Sequence, residues 1–158
     1  MFPDLSSLIA ILEAELEIGE ALQKNIAEQR QAIIDWNLEA LLKLVEQHQG
    51  LIEALGKSEE RRTEVLASHA SADLSKLLTS IPTDTGEYRQ LSDLRKRSLE
   101  RFKRLLSDEE GLHALKNNVV GHLNHAIATT VERGGSVYGD TGRPLAQSVA
   151  PGLIYEKA

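Results

Sequence analysis

Leucine, isoleucine and valine recur in this chain at steps of three and four residues over three long stretches. Only an α-helix turns that rhythm into one continuous apolar face. Leu5, Leu8, Ile9, Leu12, Leu16, Leu22, Ile26 and Ile33 make the first stripe, on a helix predicted over about 4–34. Pro3 and Asp4 suit its first turn, where a missing amide hydrogen costs nothing and a carboxylate can cap the free ones. Asp35-Trp36-Asn37 reads as a tight connection, with Trp36 closing the hairpin end and Asn37 capping the second helix. The second stripe, Leu38, Leu41, Val45, His48, Ile52, Leu55, Arg62 and Leu66, keeps a heptad rhythm and predicts a helix over 38–68. His48 and Arg62 fall on its inner side as seam residues, where they could also register a homodimer. A connection this short forces the two helices antiparallel, as a hairpin.

After His69 the phase shifts. Leu74, Leu77 and Leu78 predict a short helix over 71–80, stopped by Ile81-Pro82. Asp84 with Glu87 resembles a capping pair that opens the last helix. From Tyr88 through Leu91, Leu94, Leu99, Phe102, Leu105, Leu106, Leu112, Leu115, Val119, Leu123 and Ile127 to Val131 the stripe holds its phase, predicting one long helix over 85–132. Ser107-Asp108-Glu109-Glu110 has the form of a second capping box and Gly111 comes directly after it, so a break there is the alternative. Residues 134–158 hold five of the eleven glycines together with Pro144 and Pro151, and show no helical period. Such a composition buries too little to offset its ordering entropy, which predicts a flexible tail after a helical domain over 1–133. The expected fold is therefore all-α: an elongated antiparallel three-helix bundle, made of a helical hairpin, a short connecting helix and one long third helix, with a flexible C-terminal tail.

Composition excludes much else. Leu occupies 25 of 158 positions and aromatics only 4%, so the core is aliphatic, and runs that would read as strands are nearly absent. With no Cys there is no disulfide, zinc ribbon, iron–sulfur cluster or thiol nucleophile, which fits a reducing cytoplasm. The early uncharged run Leu5–Leu12 is far short of the ~20 residues of a membrane span. Asp4 and the lack of Lys or Arg before Lys24 do not read as a secretory signal.

The net charge of −6 is unevenly placed: residues 1–60 carry 12 acids against 4 bases, and the remainder 12 acids against 14 bases. An acidic chain lacks the overall footprint of a nucleic-acid binder. The local exception is Arg95, Lys96, Arg97, Arg101, Lys103 and Arg104. Consecutive residues point about 100° apart on a helix, so these bases surround it as a solvated helix beside the acidic first one, with a nucleic-acid patch as the lesser reading.

Length makes one stretch stand out. At ~1.5 Å per residue the hairpin helices span about 45 Å, and a third helix of about 47 residues spans about 70 Å. A third helix running back along the hairpin overshoots its turn from about Lys116, yet Val119, Leu123, Ile127 and Val131 carry the apolar stripe onward. An apolar face without an intramolecular partner marks an interface. A break at Ser107 that buries this face is the alternative.

Catalytic patterns are missing. Glu110-Gly111-Leu112-His113 is a Glu-x-x-His unit, but it occurs once where a di-iron bundle needs two, and His122 and His125 have no carboxylate at ligand spacing. Gly134 and Gly139 have phosphate-loop spacing, but Asp140 stands where the lysine belongs. No nucleophile elbow is present. The sequence predicts no enzyme, no metal and no cofactor, and points to a protein that receives an amphipathic helix in an apolar groove.

The order of an acidic leucine-rich hairpin, a long third helix with Asn118 and Asn124 in an aliphatic stretch, and Val137-Tyr138-Gly139-Asp140-Thr141-Gly142-Arg143 resembles the FlgN family of flagellar export chaperones. Its specific motif content lies in residues 115–143. The resemblance implies a cytoplasmic, non-enzymatic chaperone of the flagellar type III export system. Its clients would be the C-terminal helical segments of the hook–filament junction proteins FlgK and FlgL. Leu115, Asn118, Val119, Leu123, Ile127 and Val131 fall where such a chaperone binds clients, and Tyr138, with Gly139 and Gly142, where it contacts the export-gate protein FlhA. No nucleic acid and no stable membrane insertion are implied. The competing expectation is a coiled-coil scaffold that self-associates through the overhang and has no client.

Overall fold

The computed structural model of the chain describes residues 5–71 and 73–137, the side chains of 133–137 excepted. The described residues form α1 (Ser6–Ile34), α2 (Leu38–Ser68), the short α3 (Leu74–Ser80) and α4 (Gly86–Val137). The hairpin α1/α2 packs on the part of α4 that precedes Glu110. The chain divides into two compact units, residues 1–109 and residues 110–158.

The local signals set most of these ends. Asn37 accepts the Ala40 N–H at 3.1 Å, as its capping position requires. Both hairpin helices end in the same hydrogen-bonded turn. In α1 the Trp36 and Asn37 amides donate to Ile33 and Ala32, and in α2 the Ala70 and Ser71 amides donate to Ala67 and Leu66. This double-bonded C-terminal turn places the residue before its last donor in the left-handed region, and Trp36 and Ala70 both have φ 54°. Trp36 thus closes the hairpin end through its backbone, while its indole is 69% exposed.

Four ends differ from the sequence expectation. The start of α1 is uncapped by any side chain, with Leu5 before Ser6, and Pro3 and Asp4 lie outside the described residues. α3 begins at Leu74 and not at 71, because the Asp73 carboxylate accepts the Lys76 N–H at 2.8 Å and fixes the start there. The start of α4 is capped by Thr85, not by an Asp84–Glu87 pair: the Tyr88 N–H donates to the Thr85 hydroxyl, which itself donates to the Pro82 carbonyl. α4 then continues through Ser107–Gly111 without a break and on to Val137, past the expected end at 132.

The core of residues 1–109 gathers where α1 begins, α2 ends and α4 begins. Leu5, Leu8 and Leu12 of α1, Leu66 of α2, Leu77 and Leu78 of α3, Ile81, and Leu91 and Leu94 of α4 form one buried cluster. Burying each leucine contributes about 2 kcal/mol, so α3 acts as a plug that closes this end of the three longer helices. Farther along α1, Gly19 lies beneath α4: a Cβ there would stand 2.9 Å from Arg101 Cγ, so the missing side chain is what lets Arg101 cross. The Arg101 guanidinium then donates to Gln23 Oε1.

The α2 stripe is buried along one of its two rows. Leu41, His48, Leu55 and Arg62 of the expected stripe are half-buried and Leu66 is buried, whereas Leu38, Val45 and Ile52 are 66%, 42% and 41% exposed. Leu44 and Leu51, one position before Val45 and Ile52, are half-buried in their place. A polar seam explains which row turns inward. Asn25 of α1, almost fully buried, donates to the Leu44 carbonyl at 2.9 Å and accepts from Gln29 at 2.6 Å. His48 meets the same Asn25 oxygen at 3.2 Å through Nδ1 and the Glu109 carboxylate of α4 at 2.8 Å through Nε2. Satisfying these buried groups fixes which face of α2 turns to α1. On α4, likewise, Leu99 and Leu106 are 58% and 64% exposed, while Leu91, Leu94 and Leu105 face inward.

Candidate functional site

The sequence points to α4 beyond Glu109, and all six of its expected client-binding residues are described there. Leu115, Val119, Ile127 and Val131 are half-buried, Asn118 is exposed, and Leu123 is 40% exposed. The aliphatic members succeed one another at four-residue steps, which lays them along a row that winds slowly round the helix. Asn124, beside Leu123, has its Oδ1 shielded from solvent and without a hydrogen-bond partner. The hydroxyls of Thr129 and Thr130 turn back to the carbonyls of His125 and Ala126, so the helix face here offers methyl groups where the sequence alone reads as polar. Tyr138, Gly139 and Gly142 lie outside the described residues.

Sequence reasoning missed a second feature, in residues 1–109. Between α2 and α4 opens a cavity of about 570 Å³, its walls including Leu66 and Thr63 of α2 and Leu99 and Phe102 of α4, with Leu12 of α1 and Leu74 at the start of α3 closing it. At its edge Arg62 reaches Glu15, whose side chain is wholly buried, with 2.5 Å between Nη1 and Oε2. Burial pushes the Glu15 carboxyl above its ordinary value, Arg62 pulls it down, and Glu59 adds to the rise. The signal for this groove was in the sequence: Leu38, Val45 and Ile52 recur at seven-residue steps beside Glu39, Glu46, Glu53 and Glu60. An apolar row bordered by an unbroken row of glutamates has the form of a coiled-coil seam with a charged flank, not of a core.

No group of three or more His, Asp or Glu residues among the described residues is placed to hold a metal ion. No helix among them is long and apolar enough to cross a membrane. The surface that remains is one of apolar rows on helix faces, suited to receiving other helices. The FlgN protein family matches residues 1–146, a span that takes in α1 to α4 whole. This chain belongs to the FlgN family. Comparison with curated proteins and with solved structures gives no match. FlgN proteins are cytoplasmic flagellar export chaperones without enzymatic activity, and the described residues of this chain are built from helices alone.

Proposed function

We propose that this FlgN-family chaperone binds the C-terminal helical segments of the hook–filament junction proteins FlgK and FlgL and delivers them to the export-gate protein FlhA. The client lies along α4 on Leu115, Asn118, Val119, Leu123, Ile127 and Val131. Tyr138, with Gly139 and Gly142 beside it, makes the contact with the gate. The observation that carries the reading is an apolar row on a continuous helix with Leu123 exposed, within the span that the family match covers. A client helix laid on that row removes its leucines and isoleucines from water, which holds the client unassembled until export.

Isothermal titration of the full chain with the C-terminal segment of FlgK tests it. Saturable binding is expected, and Val119→Glu or Leu123→Glu should weaken it about tenfold or more by burying a charge against apolar surface. Equal affinity in both variants would move the client elsewhere. Tyr138→Ala should leave client binding intact and reduce export. If it abolishes client binding instead, Tyr138 belongs to the client site. No binding to either junction protein, with a tight dimer in sedimentation, would favour the self-associating scaffold.

A further inference from the structure

We propose that the groove between α2 and α4 in residues 1–109 is a second docking site, which takes a single amphipathic helix carrying basic residues on one flank and acidic residues on the other. The inference does not depend on the client site proposed above.

The groove has two helical walls. Its deep end is the cavity beside Thr63 and Phe102, closed by Leu12 of α1 and by Asp73, Leu74 and Ser75 at the start of α3, and toward its other end His48 of α2 meets Glu109 of α4. Residue numbers rise along α4 as they fall along α2, so the walls are antiparallel neighbours. From Arg62 back to His48 they run together for about 14 residues, or about 21 Å, which is four turns of a helix laid between them.

The floor and the rims differ in chemistry. Glu59, which lines the cavity, lies seven residues from Ile52, and Ile52 lies seven from Val45, so the α2 face that forms the cavity wall continues as an exposed apolar row. On α4 the same relation links Leu99, in the cavity wall, to the exposed Leu106. Outside the apolar row of α2 stand Glu46, Glu53 and Glu60, all exposed and seven residues apart. Outside the row of α4 stand Lys96 and Lys103, also exposed and seven apart, with Arg95 at the cavity.

These signs identify the occupant. A helix with flanks of one charge gains at one rim and is repelled at the other. A helix with one basic and one acidic flank gains at both, and the rims then set its direction as well as its register. The exposed leucine, isoleucine and valine side chains supply the area that such a helix covers, and its insertion converts three packed helices into a four-helix arrangement.

Three synthetic helices of about 20 residues test this, with the same apolar heptad stripe and flanks of Lys/Glu, Lys/Lys or Glu/Glu. Each carries a fluorophore and is titrated with the full chain, with binding read by anisotropy. The Lys/Glu peptide is expected to bind about tenfold more tightly than the other two. Ile52→Glu and Leu99→Glu should each weaken it about tenfold, at exposed positions where circular dichroism will report an unchanged fold. Lys96→Glu combined with Lys103→Glu should transfer the preference to the Lys/Lys peptide. Val119→Glu and Leu123→Glu should change none of these affinities. Failure of all three peptides to bind, equal affinity among them, indifference to Ile52→Glu and Leu99→Glu, or a dimer of the chain that excludes the peptide would each overturn the proposal.

Discussion

Glu15 and Arg62 meet across the α1–α2 seam, the carboxylate wholly shielded from solvent and the guanidinium about two-thirds buried. Taking both charges out of water costs more than an exposed pair would, and the pair holds because each supplies the other's counter-charge. Burial is the larger influence on the carboxyl and raises it above its ordinary value of 4.5, against the pull of Arg62. The folded protein therefore holds this proton more tightly than the unfolded chain does. Stability from Glu15 is fully present below the ordinary value and is lost as pH rises through the raised one. Glu15→Gln should abolish that slope, so that the variant gains on the parent as pH rises. Urea midpoints of both proteins from about pH 4 to about pH 8 check it, and parallel curves would remove the effect.

The partner substitution gives the opposite sign. Arg62→Met keeps most of the stem that packs against the seam but leaves Glu15 alone in a buried site. A loss of about 3 kcal/mol is expected at neutral pH. The loss should shrink in acid, where Glu15 takes up a proton and no longer needs the guanidinium. A loss that is the same at both ends of the range would mean that Arg62 acts through packing and not through its charge.

Trp36 and Ala70 lend themselves to stabilisation. Each sits at φ 54° after a helix end, a conformation that costs a residue with a Cβ and costs glycine little. Trp36 and Ala70 are both exposed, so little packing is lost with them. Trp36→Gly and Ala70→Gly should each raise stability by about 0.5–1 kcal/mol, less the extra freedom glycine gives the unfolded chain. Thermal melts of the two single variants and the double variant check this. The two positions are at opposite ends of α2 and should add.

The helices were legible because the apolar period over α1, α2 and α4 is long, and periodicity averaged over eight turns leaves little room for another fold. Their rotation was less so. Leu38, Val45 and Ile52 looked like core and are exposed, because Asn25, Gln29 and His48 turn α2 about its axis to satisfy one another. A hydropathy stripe carries no weight for such groups: Asn25, Gln29 and Glu15 read as surface and are buried. The apolar row of the expected client site was legible in the same way as the helices. Of the groove between α2 and α4 only the α2 side was legible, as the seven-residue row of Leu38, Val45 and Ile52 beside its glutamates. The α4 side depends on Leu99 and Leu106 facing outward within a stripe whose spacing does not separate them from Leu94 and Leu105.

The start of α4 separates two capping readings by a single residue. Thr85 accepts the Tyr88 amide at 3.2 Å and donates to Pro82 at 2.8 Å, so it joins the helix to the turn before it. Thr85→Ala should cost about 1 kcal/mol, the usual worth of such a cap, and Asp84→Ala close to nothing. Chemical denaturation of both variants checks the pair. A larger loss from Asp84→Ala would return the cap to the residue that the sequence suggested.

Gly19 and Gly50 are both mid-helix glycines, and the same substitution should act on them in opposite ways. Nothing lies within 4 Å of a Cβ built at Gly50. Gly50→Ala should therefore gain about 1 kcal/mol from helix propensity alone. At Gly19 the added carbon meets Arg101 Cγ at 2.9 Å and Leu105 Cδ1 at 3.6 Å. The Cγ is the root of the arginine side chain and cannot swing aside without carrying the guanidinium off Gln23. Gly19→Ala should thus fall at least 1 kcal/mol below Gly50→Ala in stability, and Gly19→Val should lose about 2 kcal/mol outright. Arg101→Ala supplies the control: in that background the contact is gone, and Gly19→Ala should recover the propensity gain. A double-mutant cycle on positions 19 and 101 measures the coupling, and a value near zero would show that α4 does not rest on Gly19 through Arg101.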